Sequence, residues 1–192
     1  MSIDTRTLIW LFPVAFMLHD FEEIILSEAW LQKNAGELKG ILQNRLPAFL
    51  AKRMCAVLDK SAAEFALPIS LIFGLTALSS FLAVEYGQYG FFLAASGLFF
   101  VHGFAHVAQA VAFRRYIPAV VTSVLVAIPY GLILYWRLIT AGVIDIAGLL
   151  GYFLLGGALA APFILTMHAI GEYLYKKMVA PLSISHPSSN QE

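Results

Sequence analysis

The chain has 192 residues, 60% of them hydrophobic and 12% charged, and its mean hydropathy is +0.79. Those values exclude a soluble domain of this size and point to a polytopic membrane protein. The formal net charge of zero implies neither nucleic acid nor a strongly acidic partner, and the single cysteine, Cys55, excludes an intramolecular disulfide.

A helix needs about 20 mostly apolar residues to cross a bilayer. Five segments meet that need, at roughly 7–31, 64–84, 90–113, 117–139 and 146–175. The expected fold is all-α: a polytopic helical bundle of about five transmembrane helices, in one domain over residues 1–180. The first segment reads as a retained span rather than a signal peptide. No strong basic region precedes it, no small-x-small cleavage site follows, and the apolar run resumes after a charged cluster.

The connection 32–63 is the one long link. It carries Lys33, Lys39, Arg45, Lys52, Arg53 and Lys60 against Glu37 and Asp59, and Leu38, Ile41, Leu42, Leu46, Phe49 and Leu50 recur at helical spacing. An amphipathic helix on the inner membrane surface is expected there. In the fifth span, small residues from Gly148 to Ala161 permit close helix approach, and Pro13, Pro68, Pro129 and Pro162 are candidate kinks. Residues 181–192 are polar and rich in Ser and Pro, so a disordered tail is expected.

Lys and Arg favour the cytoplasmic side of a membrane. The 32–63 connection, Arg114-Arg115 and Lys176-Lys177 then lie inside, and the loops at 85–89 and 141–145, without Lys or Arg, lie outside. Arg137 is the one dissenter. The expected topology has the N-terminus out and the C-terminus cytoplasmic.

Three clusters of ionisable residues interrupt these spans: His19-Asp20-Phe21-Glu22-Glu23, His102-x-x-x-His106 and His168-x-x-x-Glu172. Each such group at a bilayer centre costs about 2.5–3.5 kcal/mol on insertion scales, so something must hold them. Helical periodicity puts His19, Glu22 and Glu23 within an arc of about 100°, with Asp20 at its margin. It also stacks His102 on His106 and His168 on Glu172, with Gln109 and Tyr175 extending the two stripes. The three clusters reach a similar depth in the cytoplasmic half, and Glu64 starts the second span near that level.

Metal ligands expected from this pattern are His19, Glu22, Glu23, His102, His106, His168 and Glu172. Seven ligands suit two divalent ions, because one ion takes three or four, and helical bundles hold paired metals with inward carboxylates and histidines. Mixed N/O donors without thiolate favour Fe, with Zn or Mn as alternatives. Asp20 is expected to orient a ligand histidine.

The run His19-Asp20-Phe21-Glu22-Glu23 early in a small hydrophobic chain resembles the family named for its H-x-x-E-E motif, mostly prokaryotic multi-span membrane proteins of unknown function. The resemblance extends over the five spans and excludes the tail. It implies a membrane location, for which a prokaryotic inner membrane is expected, with His19, Glu22 and Glu23 as the matching positions. It implies no reaction.

The leading functional expectation is a di-metal, di-iron oxidoreductase acting on an apolar or lipid-like substrate, with Glu22, Glu23 and Tyr175 catalytic and Tyr175 or Gln109 relaying protons. A zinc-dependent intramembrane hydrolase is the first alternative, since His19-x-x-Glu22 resembles a reversed zinc motif. A metal or proton transporter is the second. Expected partners are the bilayer, the apolar substrate and, in a homo-oligomer, further copies of the chain.

Overall fold

The structure is a computed structural model whose described residues are 4–179; the expected tail at 181–192 lies outside them. Six helices follow one another: α1 (Thr5–Arg45), α2 (Ala48–Val57), α3 (Ala62–Tyr86), α4 (Tyr89–Phe113), α5 (Val120–Thr140) and α6 (Ile146–Val179). No strand occurs among the described residues. The protein is an all-α membrane bundle. Leu154, Ile25 and Leu125 show how its apolar side chains face outward, 76%, 70% and 69% exposed, where lipid rather than water surrounds them.

Helices α3, α4, α5 and α6 are each long and apolar enough to cross a membrane. Helix α1, the first expected span, falls short by charge. Every 18-residue stretch of its apolar half includes at least three of Arg6, Asp20, Glu22 and Glu23. It nevertheless lies along α3 for most of that helix's length. Ser80 Oγ donates to the Ile9 carbonyl at one end, and the Ala62 amide donates to Glu28 at the other.

Helix α1 does not stop where its apolar run ends. It continues to Arg45, 41 residues in all, which at 1.5 Å per residue is about 60 Å, twice a bilayer core. The 32–63 connection therefore holds the polar end of α1, then α2, rather than one separate surface helix. Arg115 on the α4–α5 loop bonds Asn34 and Glu37, and Lys39 bonds Asp59, which ties the extension back to the bundle. In α2, Phe49 is 72% exposed beside Lys52 and Arg53, also exposed.

Local chemistry sets the other boundaries. Ser61 and Glu64 form a reciprocal capping box at the start of α3, so Glu64 serves the helix end. Gly87, in the left-handed region at φ 68°, closes it. Within α5, Ser123–Ala127 form a π-helical turn just before Pro129, which has no N–H for the preceding turn.

The core is aromatic. Phe12 is fully buried and meets Phe92 edge-on at 5.6 Å and Phe99 at 5.8 Å. Two close approaches place α6. A Cβ at Gly156 would come within 3.0 Å of the Leu98 backbone on α4, and one at Gly171 would come within 2.6 Å of Pro68 on α3. Missing side chains thus let α6 touch different helices at two levels. Between those levels α6 walls a cavity of about 540 Å³, shared with α1, α3 and α4.

Candidate metal centre

Angular position around α1 explains what each acidic residue meets. At 100° per residue, Glu22 lies about 60° to one side of His19, Glu23 about 40° to the other, and Asp20 about 100° round on that second side. Glu22 turns towards the start of α5. Glu23 and Asp20 turn to the cavity, which both line.

Four residues converge: His19, Glu23, His102 and His106 each offer a ligand atom, all within 4.8 Å of one another. His102 Nε2 and His106 Nε2 are 2.9 Å apart, and His102 Nε2 is 4.0 Å from Glu23 Oε2. The His19 ring sits edge-on to both others, at 5.5 Å from His102 and 5.2 Å from His106. His19 is fully buried and His106 6% exposed, whereas Glu23 and His102 are partly exposed where they border the cavity.

The tautomer of His19 follows from its neighbours. Thr122 Oγ1 gives its proton to Glu22 Oε2, 2.6 Å away. The same oxygen can then only accept from His19 Nδ1–H, at 3.3 Å. That leaves His19 Nε2 with its lone pair, buried and without a partner. A buried unpaired imidazole nitrogen is costly unless it binds something. Three imidazoles and one carboxylate suit a borderline divalent ion such as Fe, Zn or Mn. Donors on opposite sides of an ion at about 2.1 Å are about 4.2 Å apart, so small closure brings all four to one ion.

Glu22 is occupied elsewhere. It accepts from the Thr122 amide at 2.7 Å, the Val121 amide at 3.3 Å, the Thr122 hydroxyl and the Tyr116 phenol. It thus caps the N-terminus of α5, whose own N-cap, Ala119, has no capping side chain and sits at φ 67°. Partial burial, with the bond to Glu22, raises the Tyr116 phenol above its ordinary pKa, so it remains a donor. Neither Tyr116 nor Thr122 was expected from spacing. Both lie where the fourth apolar run begins, and nothing in the sequence ties them to α1.

The third cluster has different neighbours. The Lys60 ammonium, itself buried, lies 3.6 Å from Glu172 and donates to the His168 carbonyl, while Lys176 binds Glu172 at 2.7 Å. The His168 ring packs edge-on against Phe65 and borders the cavity, but His168 and Glu172 are not in the four-residue group. Tyr175 is half-buried near the end of α6 and does not line the cavity; Gln109 is exposed. Tyr135 is buried against Phe100 and Phe153.

Neither a curated protein nor a solved structure matches the chain. A family model described as a protein of unknown function with HXXEE motif matches residues 10–134, a stretch that contains all four converging residues and ends before His168, so the chain belongs to the HXXEE family.

Proposed function

We propose that this protein is an integral membrane metalloenzyme that binds one divalent ion through His19, Glu23, His102 and His106 and acts on an apolar or lipid-like substrate. The observation that carries the reading is the convergence of these four donors, with no Lys or Arg among them, beside an apolar cavity. Four ligands at one point support a single ion, where the seven spaced residues had suggested two. Iron is the first choice, since four protein ligands leave positions open on a six-coordinate ion. When bound, it would supply redox chemistry on dioxygen.

The chain's own residues do the rest. Glu22 and Thr122 hold the His19 ring with Nε2 turned to the cluster. The Asp20 carboxyl, 5% exposed and with Oδ2 unpartnered, is placed to take or give a proton at the cavity wall. Phe16, Phe99 and Leu98 keep water from the reacting atoms.

A zinc hydrolase is the second reading, favoured by Glu23 standing farther from His102, at 4.0 Å, than His106 does, at 2.9 Å. Three histidines suffice for zinc, and Glu23 is then free to act as base on a water. Elemental analysis of detergent-purified protein separates the two. The first reading expects about one iron per chain, lost in Glu23→Gln. The second expects about one zinc, retained in Glu23→Gln while activity disappears. Protein that binds no divalent ion would overturn both.

The proposed location is a prokaryotic inner membrane with the N-terminus outside. Contacts among Lys39, Asp59, Glu37, Arg115, Lys60 and Glu172 gather the basic connections at one end of the bundle, and the Arg6–Glu85 pair marks the other.

A further inference from the structure

We infer that the cavity beside the four-residue cluster takes the hydrocarbon tail of an uncharged single-chain amphiphile, a long-chain alcohol, aldehyde or amide, with its polar end at Asp20 and Glu23. The inference names the substrate class of the site proposed above. It depends on that site for the chemistry, but not for the binding.

Shape comes first. The cavity borders α4 over the twelve residues from Phe91 to His102, about 16 Å along that helix. Its volume of about 540 Å³ is that of a site for one small ligand, not for a whole two-chain lipid. At the Phe91 end the wall is hydrocarbon, with Ala94 and Leu155. Phe91 and Leu155 are 41% and 44% exposed at the bundle surface, so a tail can enter from the bilayer.

The ionisable groups are confined to the other end, where Asp20, Glu23, His102 and His168 meet the cavity, while the Thr76 and Thr166 hydroxyls in its wall donate to carbonyls of their own helices. A molecule filling it must therefore be apolar over most of its length and polar at one tip. Charge selects further. No Lys or Arg lines the cavity, and Lys60, behind His168, is engaged by Glu172. Asp20 and Glu23 themselves balance a divalent ion, and without an ion they repel an anion, so in neither state is there a countercharge for an anionic head. Burying a carboxylate or phosphate there would go unpaid in ion pairing, whereas a hydroxyl, aldehyde or amide needs only hydrogen bonds.

The test is photolabelling of the full chain in lipid nanodiscs with hexadecanol carrying a diazirine at its tail end, mapped by mass spectrometry. Label is expected on α4 near Phe91 or on α6 near Leu155. Unlabelled hexadecanol is expected to compete about tenfold or more better than hexadecanoate or a two-chain phospholipid. Ala95→Phe and Ala94→Phe, which narrow the cavity from α4, should each reduce labelling about tenfold with metal content unchanged. His102→Ala should lose metal and still label.

Labelling untouched by both filling variants in folded protein would overturn the inference, as would hexadecanoate or phospholipid competing as well as the alcohol. If neither filling variant folds, the competition series alone decides between these outcomes. Wild-type protein that labels as described yet holds no metal would sustain this inference and sink the metal reading.

Discussion

The His102–His106 pair on α4 and the His168–Glu172 pair on α6 have the same i, i+4 spacing, the same hydrophobic setting and cavity-lining members, yet their surroundings differ in kind. The α4 pair faces His19 and Glu23, so four lone-pair donors crowd together with no Lys or Arg among them. The α6 pair faces Lys60 and Lys176, and its carboxylate is already neutralised. Spacing on a helix sets which residues share a face; the helix opposite sets whether that face seeks a metal or makes an ion pair.

The largest expected effect tests that contrast directly. His19→Ala, His102→Ala or His106→Ala should each take the purified protein from about one ion per chain to nearly none, because removing one of four ligands destroys the site. His168→Ala should leave metal content unchanged. Equal loss in both groups, measured by elemental analysis, would erase the distinction between the two pairs.

Next comes the difference between adjacent glutamates. Glu22→Gln and Thr122→Val should weaken metal binding by about 10–100-fold, since they position His19 without touching the ion. Competition with a chromophoric chelator reads this out. No change in Thr122→Val would show that the hydroxyl does not orient the ring.

The α6 cluster should answer in stability instead. Glu172→Gln removes the countercharge of the buried Lys60 ammonium and leaves it only neutral acceptors, and because Glu172 is itself partly exposed the loss should be about 1 kcal/mol in thermal unfolding. Adding Lys60→Met should recover most of it. A metal loss in Glu172→Gln would move this residue into the other group.

Arg115→Ala is expected to do least. Its bonds to Asn34 and Glu37 hold the extension of α1 at the bundle end, but they are solvent-facing, so the change should lie within about 0.5 kcal/mol. A larger loss would mean that the long end of α1 helps to build the site.

Much of the architecture was legible in the chain itself. Runs of apolar residues located α3 to α6 closely, because a bilayer leaves few ways to satisfy a backbone other than a helix of that length. Ionisable residues within such runs marked His19, Glu23, His102 and His106, together with Glu22, His168 and Glu172, since burying them demands a reason. The continuation of α1 past its apolar stretch was less legible: residues 32–45 keep helical periodicity but change partner from lipid to Arg115 and the loop, a contact between distant segments.

Local sequence, then, determined helix positions and which side chains share each face, because both follow from hydropathy and a repeat of 3.6 residues. Only the packed bundle decided that Glu23 joins the histidines while Glu22 caps α5, that His168 stands beside Lys60, and that a cavity opens between α4 and α6. Those outcomes depend on how helices far apart in the chain approach and rotate, which here rests on contacts such as Gly156 on Leu98 and Gly171 on Pro68. No spacing within one helix encodes which face of another it will meet.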